Sequence, residues 1–174
     1  MNTVSVYMTV DEKLGLSKKF RLPWMAEGFT QFPPEKTETN VIITHLEAYI
    51  TLLENIGNVR MTKLLETREP LVVSHSPDLL MPFKVRTLST FTSAIVEGLK
   101  MNRDVVILQC DKYFNEIIPF VDVIEIREIP KDYECDRNAQ HIFQHYIYPE
   151  FEVVDGSVAD DGTVFKTFRR KNEV

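Results

Sequence analysis

Three short runs of this chain carry almost no polar side chain: Asn40-Val41-Ile42-Ile43-Thr44, Pro70-Leu71-Val72-Val73-Ser74 and Asp104-Val105-Val106-Ile107-Leu108. Runs of this length and β-branched content read as strands covered on both faces, because a strand with one wet face alternates apolar and polar residues. Strands covered on both faces need helices above and below them. The intervening segments supply them. His45 to Ile56 places Leu46, Tyr49, Ile50, Leu53 and Ile56 at helical spacing and stops at Gly57. Ser89 or Thr90 can cap a helix carrying Phe91, Ile95 and Leu99, and Asp111 can cap a short one carrying Phe114, Ile117 and Ile118.

The ends of the chain read differently. Val4 to Val10 is an alternating β-branched strand, and Asp11 to Arg21, charged and carrying Gly15, reads as a loop. Leu22-Pro23-Trp24 follows with the only Trp; Met25 to Phe32 has room for one or two helical turns before Pro33-Pro34. Lys84 to Leu88 is a further strand, and Val121 to Ile129 one with a wet face. The tail offers two more, Glu150 to Ser157 and Thr163 to Arg169, joined by Asp160-Asp161-Gly162 as a hairpin turn. The sum is an α/β fold: about eight strands in a mostly parallel sheet, an antiparallel C-terminal hairpin, and about four helices on both faces.

The length of 174 residues suits one domain. With 44% hydrophobic and 26% charged residues the chain is neither disordered, collagenous nor coiled coil. Twenty Lys and Arg against 26 Asp and Glu give a net charge of −6, so nucleic acid is not the expected partner. No apolar run is long enough to span a membrane, and the N-terminus has no basic region before an apolar core, so neither membrane nor secretion is expected. Two cysteines, Cys110 and Cys135, fit a reducing compartment, and a cytoplasmic location is the expectation.

Local motifs add little. Six glycines include none in a βα turn, so neither a dinucleotide-binding fingerprint nor a P-loop is present. Cys110, at a strand end, could be activated by the following helix, although Asp111 opposes that. His141 and His145, four apart, would share a helix face but lack a third ligand, so no metal is expected. Arg68, ahead of a buried strand, can either fork onto a ligand carboxylate or pair with Glu66 or Glu69 at the surface.

The order of landmarks resembles the dihydrofolate reductase family over nearly the whole chain. The first strand, Leu14-Gly15 and Leu22-Pro23-Trp24 are similar to the family's opening strand, mobile loop and [LI]PW motif. Phe32, Thr37 and Val41-Ile42-Ile43 sit where the family has a phenylalanine, a threonine and a VIM strand. Thr67-Arg68 before Leu71 to Ser74, Val106 to Leu108, Phe114, Ile117-Ile118-Pro119, Ile124 to Ile129, Asp136 and the final hairpin continue the register.

The resemblance implies a single dihydrofolate-reductase-like domain over residues 1–174 that reduces 7,8-dihydrofolate with a hydride from NADPH. It assigns Glu27 as the acid, at raised pKa if buried, and Trp24 as the residue shaping the pterin pocket. Phe32, Arg68 and Tyr7 would contact the folate-type substrate. Leu14, Gly15, His45, Ser74, Gln109, Cys110, Lys112 and Phe114 would lie near the cofactor. Several of these positions depart from the family pattern. Thr44-His45-Leu46-Glu47 replaces a glycine–basic–x–Thr, Gln109-Cys110-Asp111 replaces paired glycines, and Arg127 replaces a threonine and could pair with Glu27. Two readings stand: a divergent working reductase, or a catalytically inactive protein of the same fold that binds an unidentified protein or serves as a structural part.

Overall fold

The apolar runs become the middle of one sheet. The computed structural model describes residues 2–19, 21–27, 40–76, 85–108 and 111–172. Its strands are β1 (Val4–Asp11), β2 (Gly15–Ser17), β3 (Val41–His45), β4 (Glu69–Val73), β5 (Arg86–Leu88), β6 (Val105–Leu108), β7 (Val123–Ile129), β8 (Arg137–Asn138), β9 (Phe151–Val158) and β10 (Val164–Arg170). Eight of them form a sheet in the order β5-β4-β3-β6-β1-β7-β10-β9, while β2 and β8 pair separately. All neighbours from β5 to β7 are parallel, and β10 is antiparallel to both β7 and β9. The expected mostly parallel sheet with an antiparallel C-terminal hairpin is what forms.

The helices are α1 (Leu46–Ile56), α2 (Asn58–Leu65), α3 (Phe91–Lys100), α4 (Phe114–Ile117) and α5 (140–150), whose middle, Phe143–Ile147, is a π turn. Period-two alternation along β1 divides the core. Val4, Val6, Met8 and Val10 pack on one face with residues of α3, α4 and α5. Tyr7 turns to the other face, with Tyr49 and Leu52 of α1 and Met61 of α2. Among the described residues no helix is long and apolar enough to cross a membrane.

Local chemistry explains the boundaries. His45 caps α1 by accepting the Glu47 N–H on its side chain, and Gly57, at φ +79°, ends it. Thr90 caps α3 by accepting the Ser93 N–H at 3.1 Å. The Asp160-Asp161-Gly162 turn forms as the sequence implies, with Gly162 at φ +89° and the Asp161 carboxylate accepting the Thr163 N–H. Asp111, by contrast, is no cap: it opens a 3₁₀ turn (Asp111–Tyr113), and Tyr113 stands at the α4 N-cap without a side-chain bond. Only the first part of the turns expected over Met25 to Phe32 is described, as a 3₁₀ helix Pro23–Glu27.

The segment read as an open loop after β1 is strongly organised. Asp11 ends β1 almost fully buried, and one of its carboxylate oxygens accepts the N–H groups of Lys13 (2.9 Å) and Gly15 (2.7 Å). The other accepts the Tyr133 N–H at 3.1 Å. Gly15 has no room for a side chain: a Cβ there would lie 2.6 Å from the Cys135 Cβ and 2.7 Å from an Asp11 oxygen. Gly15→Ala is expected to lower stability by roughly 2–3 kcal/mol in urea unfolding. Adding Cys135→Gly should recover part of that loss, whereas Cys135→Ala, which keeps the offending carbon, should recover none.

Candidate functional site

A cleft of about 430 Å³ opens outside the carboxyl ends of β3 and β6. This is where ligands bind in open parallel sheets, because the helices that follow the strands diverge there. Leu16 and Leu22 from one side and Leu52 and Leu108 from the other give it apolar walls. His45, Glu47, Asp111, Lys112, Tyr113 and Arg137 bring charge and aromatic surface to it.

The charges are already matched. Lys112 Nζ lies 2.7 Å from a Glu47 carboxylate oxygen, across 65 residues of chain. Arg137, from β8, pairs with Asp111. Glu47 occupies the first turn of α1, where the helix dipole favours an anion. The Lys112 hydrogen bond holds the Glu47 carboxyl below its usual range. Glu54, further along α1, lines the cleft, is exposed, and has no ion pair among the described residues.

His45 stacks on Tyr113, with ring centroids 4.5 Å apart and planes 28° apart, while its Nδ1 accepts the Glu47 N–H at 3.3 Å. Burial lowers its pKa below the ordinary 6.5; the neighbouring Glu47 opposes that shift. A base with a depressed folded pKa favours the folded state when neutral, so its contribution is fully present above pH 6.5 and declines as pH falls below that value. The melting temperature should therefore fall between pH 7 and pH 5, before the carboxylates titrate. In His45→Asn, which retains an N-cap acceptor without a titrating ring, calorimetry should show a shallower fall.

The structure separates the residues singled out in the sequence. His45 and Lys112 reach the cleft. Trp24, Tyr7, Glu27 and Arg68 do not line it, and the placement of Phe32, Gln109 and Cys110 lies outside the described residues. Trp24 is fully buried in a small cluster with Leu22, Ile129 and Tyr133, its ring edge-on to Tyr133 at 5.9 Å. Tyr7 is buried against α1. Phe114 belongs to the main core, where it packs on Tyr146. Leu14, at φ +61°, and Gly15 form the turn into β2, and it is Leu16 and Ser17 that face the cleft. Ser74 is buried and accepts the Ser76 N–H.

Two expectations change. Glu27 is not a buried carboxyl with a raised pKa: it is half-exposed, and its oxygens accept from Lys131 Nζ and the Tyr133 hydroxyl. The Lys131 bond, then the Tyr133 bond, holds its carboxyl below the usual range, and burial together with Glu27 pushes the Tyr133 phenol up. Arg127 accordingly does not pair with Glu27. It is buried on β7 and donates to the Thr9 hydroxyl of neighbouring β1 at 3.2 Å. Arg68 is also buried rather than at the surface, donating to the Leu64 carbonyl at 2.8 Å and lining a small space of about 10 Å³.

Other groups go unused. His141 and His145 are exposed on α5, and no cluster of three metal-binding side chains occurs among the described residues. Burial, then Asp11, raises the Cys135 thiol to about 12, which leaves it protonated and inert. The contacts that decide these placements, Lys131 and Tyr133 on Glu27 and Arg137 on Asp111, join residues 26 to 106 positions apart. No spacing rule in the sequence signals them.

No protein-family model matches the sequence, and no curated protein matches it. Among solved structures, it is similar to a dihydrofolate reductase from Enterococcus faecalis complexed with NADP(H) and RAB-propyl. That likeness covers 98% of this chain and 97% of the other, at 20% identity and a TM-score of 0.73. The sequence resemblance and the strand order therefore converge: the chain adopts a divergent dihydrofolate-reductase-like fold.

Proposed function

We propose that residues 1–174 act as one dihydrofolate-reductase-like domain that binds a ligand without reductase chemistry. The observation that carries this reading is the separation of cleft and acid. Glu27, the carboxylate that the resemblance assigns as the acid, is tied to Lys131 and Tyr133 and does not line the cleft. A general acid must come within hydrogen-bond reach of the atom it protonates, and its pKa works best near the operating pH. Glu27 has the opposite shift.

NADPH does not fit this cleft well. The cations that would receive its phosphates, Lys112 and Arg137, are held by Glu47 and Asp111, and a bound polyanion would face both carboxylates. Of the described residues that the resemblance assigns to the substrate, Tyr7 and Arg68 are buried side chains, and the space lined by Arg68 is about 10 Å³.

The second reading is NADPH-dependent reduction of 7,8-dihydrofolate to tetrahydrofolate. The near-complete overlap with a reductase solved with NADP(H), and the open cleft at the strand ends, favour it. NADPH oxidation by purified protein, followed at 340 nm with dihydrofolate, separates the two. No turnover above the uncatalysed rate is expected. Antifolate-sensitive turnover that is lost in Glu27→Gln would overturn the proposal and establish the reductase.

A further inference from the structure

Taking the cleft as the binding site of the preceding reading, we infer that it selects a planar aromatic ligand that is neutral or singly cationic, and that Glu47 and Asp111 exclude phosphate-bearing nucleotides. The walls set the first half of that chemistry. Leu16, Leu22, Leu52 and Leu108 offer apolar surface, and the His45–Tyr113 stack offers an aromatic surface beside them. A volume of about 430 Å³ suits a ligand of two or three fused rings.

Charge sets the second half. The side chains lining the cleft include three carboxylates, Glu47, Glu54 and Asp111, against two permanent cations, Lys112 and Arg137. Both cations are engaged by carboxylates of the chain itself, so an incoming phosphate would have to break one ion pair to gain another and would leave a carboxylate beside it. The anion-favouring first turn of α1 is satisfied in the same way, by Glu47. Glu54 is left as the exposed carboxylate that can meet a positive ring. His45, neutral under ordinary conditions because burial lowers its pKa, adds no charge against a cation.

The test uses acriflavine, a planar fluorescent monocation, and NADPH as probes of the full chain. Acriflavine anisotropy should report saturable binding to the wild type, weakened about tenfold by Glu54→Gln, while Glu152→Gln, exposed on β9 and absent from the cleft lining, should leave it unchanged. NADPH should bind the wild type more weakly than acriflavine and gain about tenfold in Glu47→Gln/Asp111→Asn by titration calorimetry. Glu47→Gln alone, at an exposed side chain, should give part of that gain and keeps the test open if the double variant fails to fold.

Tighter binding of NADPH than of acriflavine to the wild type, no gain in folded Glu47→Gln, or equal weakening by Glu54→Gln and Glu152→Gln would each overturn the inference. NADPH-dependent reduction of dihydrofolate by the wild type would overturn the preceding reading and, with it, the exclusion of nucleotides, whereas any of those three binding results without turnover would overturn the inference alone.

Discussion

Asp11→Ala should cost about 3–5 kcal/mol, enough to lower the melting temperature by roughly 10 °C in a domain of this size. The carboxylate is almost fully buried and receives three backbone N–H groups, from Lys13, Gly15 and Tyr133. Alanine strands all three donors at once in a place with little access to water, and each stranded buried donor costs about 1–3 kcal/mol. The damage spreads because the donors come from two separate segments. Lys13 lies in the turn before β2 and Gly15 opens β2, whereas Tyr133 follows β7. Asp11→Asn should fall between wild type and alanine: its amide oxygen can still accept, but its NH₂ must then face a donor. Urea unfolding of the three proteins should give that order, and equal stability of Asp11→Ala and wild type would show that water replaces the carboxylate.

Trp24→Ala should be of similar size, about 3–5 kcal/mol, since it empties a fully buried site of the largest side chain. The cavity would open against Leu22, Ile129 and Tyr133. Trp24→Phe should retain more than half of the lost stability by keeping a ring edge-on to Tyr133. The two sites converge on one residue, because Asp11 holds the Tyr133 backbone and Trp24 holds its ring. The double variant should thus be less destabilised than the sum of the singles, by 0.5 kcal/mol or more. Strict additivity in a double-mutant cycle would mean that segment 129–135 does not respond as one unit.

What the sequence disclosed, and what it withheld, follows the range of the interactions. β3, β4 and β6 were legible because burial on both faces forces Val41 to Ile43, Leu71 to Val73 and Val105 to Leu108 to be apolar in unbroken runs. The hairpin was legible because a turn at φ +89° needs a residue such as Gly162. α2 was missed since it follows α1 across Gly57 and buries only Met61, leaving a weak stripe among Arg60, Thr62 and Lys63. α5 was missed because its π turn breaks the 3.6-residue period on which such readings rest. β2 and β8 are two or three residues each, too short to carry a pattern.

At the site the same rule operates more severely. His45 and Lys112, which the family resemblance sets near a cofactor, line the cleft. The fate of Glu27 was not, since it depends on Lys131 and Tyr133 arriving from the far side of the chain. Asp11 likewise reads as one charge in a charged stretch until Tyr133 closes over it. Ion pairing is decided by tertiary placement, which local spacing does not encode.

The position of β1 has a consequence for synthesis. It lies between β6 and β7, and its first paired residue, Val4, meets Val105. A ribosome adding roughly 5–20 residues per second needs about 5–20 s to make the intervening chain. For that interval the nascent chain carries an apolar strand with neither neighbour available, and folding must wait for the second half to emerge. A chaperone that shields extended apolar segments would therefore act on the first ten or so residues, and only until β6 and β7 have cleared the exit tunnel.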